Sequence, residues 1–119
     1  MNIEIHQSGE TKIAEVISDD VLINDAEQGL QLLVDLYYQG FDKVIVHEKN
    51  ITPEFFDLKT RLAGEVLQKF SNYRVQLVIV GDFEKYPGKS IRDFIFESNN
   101  GKLVNFLPSV AEAVQQLFK

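Results

Sequence analysis

The order of segments along the chain constrains its fold more than any single residue does. Two short runs of alternating apolar character come first, residues 2–7 and 11–17, joined by Ser8-Gly9-Glu10. A helical pattern follows over residues 24–39, and after it come three strand–helix pairs whose strands are short and nearly all apolar. A short glycine-containing gap between two such runs predicts a hairpin. Strands that alternate with helices predict right-handed crossovers and a mostly parallel sheet. The pattern therefore predicts one α/β domain over residues 1–119, with a mixed, mostly parallel five-stranded sheet and four main helices.

Local signals set the expected boundaries. In residues 24–39, Ala26, Leu30, Leu33 and Tyr37 share one helix face, Asn24 and Glu27 form a capping-box-like pair, and Gly40 supplies the stop. Val44-Ile45-Val46 reads as a buried strand. Thr52-Pro53 reads as the start of a helix running to about Phe70, because threonine can cap free amides and proline is preset for a first turn. Val75 to Val80 is apolar enough for a central parallel strand. A helix near residues 88–98 uses Ile91, Phe94 and Ile95, and Leu103 to Phe106 forms the last strand. Ser109 with Glu112 makes a capping box for a terminal helix ending at Phe118.

Composition removes several function classes. The chain has 119 residues, the common size of one domain, and no cysteine, which excludes disulfides, thiolate metal sites and cysteine nucleophiles. The lack of thiols fits a reducing compartment. Apolar stretches such as Leu77 to Val80 fall far short of the roughly 20 residues a membrane span needs. Met1 to His6 lacks the basic start and apolar run of a signal peptide, so a soluble cytoplasmic protein without a membrane partner is expected. The formal charge of −6 and scattered basic residues, grouped only at Lys85, Lys89 and Arg92, argue against nucleic acid as a partner.

The chemical motifs are weak. Gly88-Lys89-Ser90 before a helix, with Gly81 after a strand, lacks the four-residue spacing of a phosphate loop, and Pro87 has no amide to offer. It reads as an ordinary loop and helix start. No Gly-x-Ser-x-Gly elbow is present, so an acyl-transfer triad is not expected. His47, Glu48 and Asp82 follow two strands at the end of a parallel sheet where ligands usually bind, and Tyr86 lies close by in sequence. They define an alternative small-molecule site or modest enzyme, against the simpler reading of solvated strand ends. His6, Glu4, Glu10 and Glu15 read as surface residues of the first strands. No cofactor or metal is expected, and two histidines cannot make a histidine-rich metal site.

The aromatic pair Phe55-Phe56 is more informative. Neighbours in one helical turn diverge by about 100°, which leaves one of the pair for the surface or an interface unless a loop covers both. With Asp57, Lys59 and Thr60 it forms the candidate binding set: an apolar anchor beside charged and hydroxyl groups that would set orientation.

The strand–strand–helix order, repeated as strand–helix to the end, resembles the STAS fold of anti-sigma-factor antagonists. Gln76-Leu-Val-Ile-Val-Gly-Asp-Phe-Glu-Lys-Tyr86, with the closing helix containing Val110 and Ala113, is similar to the SpoIIAA-like relatives of that fold. Thr52-Pro-Glu-Phe-Phe-Asp-Leu-Lys-Thr60, Ala63-Gly-Glu-Val-Leu-Gln-Lys69 and Arg92-Asp-Phe-Ile-Phe-Glu-Ser-Asn99 resemble an uncharacterised bacterial family, domain of unknown function 4180. The STAS resemblance implies a phosphoswitch at the start of the second helix. Asp57 matches its acidic position, whereas Leu58 and Lys59 stand where the serines would be and Thr60 near the glycine. The acceptor is missing unless Thr60 or Thr52 serves. What the resemblance implies is a non-enzymatic regulatory or interaction module. It would dock a protein partner, or itself, through the segment from Thr52 to Arg61.

Overall fold

The computed structural model describes residues 1–119 and contains a five-stranded sheet in the order β1-β2-β3-β4-β5. The strands are β1 (Asn2–Ser8), β2 (Thr11–Ile17), β3 (Lys43–His47), β4 (Gln76–Val80) and β5 (Val104–Leu107). The helices are α1 (Ala26–Tyr38), α2 (Leu62–Tyr73), α3 (Lys89–Asn100) and α4 (Val110–Leu117). β1 and β2 form the expected antiparallel hairpin in unbroken register, with Ile5 opposite Ala14 and Glu4 opposite Glu15. The turn uses Gly9 at φ 59, a left-handed conformation that glycine adopts without Cβ strain. From β2 onward every pairing is parallel. The predicted mixed α/β architecture is therefore present, with four helices.

The two faces of the sheet are covered unequally. α1, α2 and α3 pack on one face, where Leu33, Leu36, Val66, Phe70 and Ile91 meet Ala14, Val44, Val46, Leu77, Ile79 and Phe106. α4 alone packs on the other, with Ala113 and Leu117 over Ile13, Ile45, Val78 and Val80. Ser109 caps it as predicted, its Oγ accepting from the Glu112 amide at 3.2 Å. The loop before α1 is tied down by Asn50, fully buried, whose side-chain amide donates to the carbonyls of Ser18 and Asp20.

Several boundaries differ from the sequence expectation, three of them at element starts with a local description. The cap of α1 is Asp25, whose carboxylate accepts from the Gln28 amide at 2.8 Å, while Gln28 Oε1 accepts from the Asn24 amide. The capping box lies one residue later than Asn24 and Glu27 suggested. The last strand likewise starts one residue on, at Val104. The segment after Thr52 does not open a long helix. It makes two 3₁₀ turns, Pro53–Phe56 and Leu58–Thr60, separated by Asp57 in an extended conformation, and α2 begins only at Leu62. The break has a local cause: Asp57 Oδ1 accepts from the Lys59 amide at 3.1 Å and starts a new turn, and Arg61 at φ 65 ends it.

These turns bury both members of the aromatic pair. Phe55 is fully buried and Phe56 is 4% exposed, so neither is left for the surface. Phe55 lies against Phe106 of β5, and Phe56 stacks on Tyr86 at 4.3 Å with Phe83 beside it, so the 83–86 loop covers it. The expectation of an exposed phenylalanine anchor is corrected. Phe55→Ala removes a wholly buried ring and is expected to cost about 3–5 kcal/mol of stability. Urea denaturation reads this directly, and a loss under 1 kcal/mol would contradict the packing.

Candidate functional site

The sequence places His47, Glu48 and Asp82 at neighbouring strand ends, and the structure sends them in three directions. His47 is the last residue of β3 and faces the α4 side of the sheet, where its Nε2 lies 2.7 Å from Glu15 Oε2. Glu48, one residue on, turns over the end of β4. There it accepts from the Tyr86 hydroxyl and pairs with Lys85 Nζ at 2.8 Å. Gly81 makes this approach feasible: a Cβ there would stand 2.6 Å from both Cβ and Oε1 of Glu48. Asp82 accepts from the Glu84 amide at 3.1 Å and shapes its own turn. These groups do not converge on one pocket, and no group of three metal-ligating side chains is assembled anywhere.

Burial raises the pKa of Tyr86, and the acceptor carboxylate of Glu48 and its charge raise it further. The phenol therefore stays protonated and serves as a donor that holds the 83–86 loop to the end of β3. It is not a poised acid or base.

The polar centre that sequence reasoning missed is Glu15. Read as an exposed charge, it is 5% exposed. Its carboxylate lies between two imidazoles, His6 Nε2 at 2.8 Å from Oε1 and His47 Nε2 at 2.7 Å from Oε2. His6, likewise read as a surface residue, is half-buried by this contact. A carboxylate can only accept, so each ring presents its Nε2–H and keeps Nδ1 for other partners. The three residues belong to β1, β2 and β3 and stitch those strands together on the α4 side of the sheet, beyond the part that the helix covers. The signal available in sequence was parity: Ile13 and Glu15 share a strand face, and Ile13 is core.

Burial alone would raise the pKa of Glu15, but the hydrogen bonds from His47 and His6, with their charges, outweigh it and hold the group below the ordinary value of 4.5. A depressed carboxyl contributes stability above its unfolded pKa that is lost as pH falls through the folded one. Glu15→Gln is expected to cost about 1 kcal/mol near neutrality, because one N–H then faces an amide donor. The difference from the parent chain should shrink below pH 4.5. Denaturation curves across that range check it, and a difference that grows toward acid would refute the assignment.

The candidate binding set splits in two. Phe55 and Phe56 are core, while Asp57, Lys59 and Thr60 are exposed. The Thr60 hydroxyl donates toward the carbonyls of Glu54 and Asp57, each at 2.8 Å, and also accepts from the Leu62 amide at 3.3 Å. Asp57, Leu58 and Lys59 form one wall of a groove of about 780 Å³. Pro87 to Ile91 form the opposite wall, with Phe56 and Tyr86 also lining it. That wall is the start of α3, whose Gly88 cap offers no side chain. Lys89 bonds Asp93 at 2.9 Å, so Gly88-Lys89-Ser90 is the ordinary helix start expected.

A second cleft, of about 850 Å³, opens beyond Asp82 at the carboxyl ends of β4 and β5. Phe83, Ile95 and Phe106 line it with Arg92, and Phe96, 69% exposed, stands beside them. Sequence reasoning singled out Asp82 and Phe83 of this set, whereas Arg92, Ile95 and Phe96 come from a helix read as core-facing and Phe106 from the last strand.

No helix is long and apolar enough to cross a membrane. No curated protein and no solved structure matches the chain. A family defined as Domain of unknown function (DUF4180) matches residues 8–117. That span includes β2 to β5, all four helices and both clefts, and the chain belongs to the DUF4180 family.

Proposed function

We infer that the protein is a non-enzymatic regulatory module of STAS or SpoIIAA type, working in the bacterial cytoplasm by docking a protein partner. The observation that carries this reading is the groove between Asp57-Leu58-Lys59 and the start of α3. Its floor is apolar and rigid, because Phe56 and Tyr86 are stacked. Lys59 and Lys89 outnumber Asp57 among the charged lining side chains, and the first amides of α3 have no side-chain cap, so the rim is net positive. An acidic segment carrying one apolar side chain complements that surface. The buried phenylalanines act as the support of the surface, and Lys59, Leu58 and Asp57 as its contacts. The strand and helix order supports the STAS comparison.

The Thr60 hydroxyl is engaged by backbone, and phosphorylation there would break the contacts that set up α2. This favours docking without the phosphoswitch that the STAS resemblance implies. A photoreactive residue at position 59 should crosslink one discrete protein in the source cells, and the same residue at exposed Gln31 on α1 should not. Addition of Lys89→Glu, on the opposite wall of the groove, should abolish the crosslink while the far-ultraviolet dichroism stays unchanged. Equal labelling from both positions, or none, would remove the proposal.

The second cleft favours small-ligand binding as the alternative, since Arg92 beside Phe83 and Phe106 suits a planar or apolar acid. A ligand of that class should raise the melting temperature, and Arg92→Ala should cancel the rise. No shift across nucleotides and acidic metabolites counts against it.

A further inference from the structure

The two edges of the sheet are treated differently. At β5 the outer backbone is closed by the end of α3. Asn99 Oδ1 accepts from the Phe106 amide at 2.7 Å and its Nδ2 donates to the Phe106 carbonyl at 3.1 Å, as a further strand would. Ser98 Oγ adds a 2.6 Å bond to the Val104 carbonyl. At the other edge, β1 pairs with β2 alone, and its outer backbone has no strand beside it. Natural proteins blunt such an edge with lysine, proline, a bulge or a covering segment. β1 has none of the first three: its sequence is Asn-Ile-Glu-Ile-His-Gln-Ser and its register with β2 is continuous over all seven residues. Ile5 at its midpoint is 53% exposed.

We propose that β1 is a homodimerisation edge, pairing antiparallel with β1 of a second copy to make a continuous ten-stranded sheet. The second copy is favoured over a foreign strand by self-complementarity. A two-fold axis perpendicular to the sheet keeps the two faces aligned, so the axis must pass through a residue paired with itself. The strand runs from Asn2 to Ser8, and centring on Ile5 is what pairs all seven residues. In that register Ile5 meets its own copy on the helix-covered face, and Glu4 of each chain meets His6 of the other on the opposite face. Centring on Glu4 or His6 would instead set like groups against each other and leave two residues unpaired.

The pairing also resolves a feature of the isolated chain. Glu4 lies directly opposite Glu15 on β2, a like-charge neighbour, and makes no hydrogen bond or ion pair of its own. Glu15 is compensated by His6 and His47, whereas Glu4 is not. Across the two-fold axis Glu4 faces the second copy's His6, which donates Nε2–H to its own Glu15 and, when the ring carries a second proton, donates Nδ1–H to Glu4. The polar cluster would then run unbroken through both chains. This surface is separate from the Asp57–Lys59 groove, so the two proposals fail independently.

Light scattering coupled to size exclusion should give twice the 13.6 kDa chain mass for the parent. Ile5→Lys places two ammonium groups on the axis and should return the single-chain mass. Glu4→Lys should weaken association by about tenfold, since the axis counts each lost cross-strand pair twice. Unchanged dichroism would show that both variants remain folded. The absence of native cysteine allows single spin labels to read the register. Backbone positions 5 and 5 should lie roughly 5 Å apart, and positions 7 and 7 roughly 13 Å. A parent chain of single mass at every concentration, leaving the edge to a foreign peptide, would overturn the proposal. A dimer that survives Ile5→Lys, or labels closest at position 7, would overturn it equally.

Discussion

The sheet must be covered on both faces, and the chain's connectivity decides how. β2, β3, β4 and β5 are laid down in one direction across the sheet, all parallel. Right-handed crossovers that advance in one direction deliver their helices to the same face. α1, α2 and α3 therefore share a face, and only the terminal helix α4 is left for the other. α4 lies against β3, β4 and β5 and reaches Ile13 of β2. The outer part of that face, over β1 and the Glu15 end of β2, has no helix.

The polar cluster answers that shortage. Glu15 occupies a position that would be core if a helix lay above it, and the imidazoles of His6 and His47 act as its cover. A carboxylate with two donors can be buried at modest cost, whereas one without them could not. One residue beyond His47, Glu48 is held by Tyr86 and Lys85 over Gly81, and this contact fixes the 83–86 loop upon Phe56. One side of the Asp57–Lys59 groove is thus built from a side-chain network that begins at β3. The edges follow the same economy of covering elements: α3 extends past β5 and closes it, and nothing in the chain extends past β1.

Much of this architecture was legible from local pattern. The hairpin, the three apolar strands, the Ser109 cap and the helix start at Gly88 each depend on residues within a few positions of one another. The candidate site was legible only in part. Lys59 and Asp57 are exposed as expected, but Phe55 and Phe56 are not. The 100° rule assumed an α-helix, and Asp57 breaks that segment into two 3₁₀ turns laid across the end of the sheet. Their burial then depends on Phe83, Tyr86 and Phe106, which lie far away in sequence.

The fold class and the order of elements follow from local sequence, because periodicity, caps and turns are short-range properties of the chain. A composition without cysteine also removes thiol chemistry. Which polar residues meet is a property of the folded chain. His6, Glu15 and His47 are brought together by strand pairing, and Glu48 and Tyr86 by a loop crossing the end of β4. Face and neighbour are set by pairing register and helix coverage, which are sums over the whole chain. No window of sequence contains them.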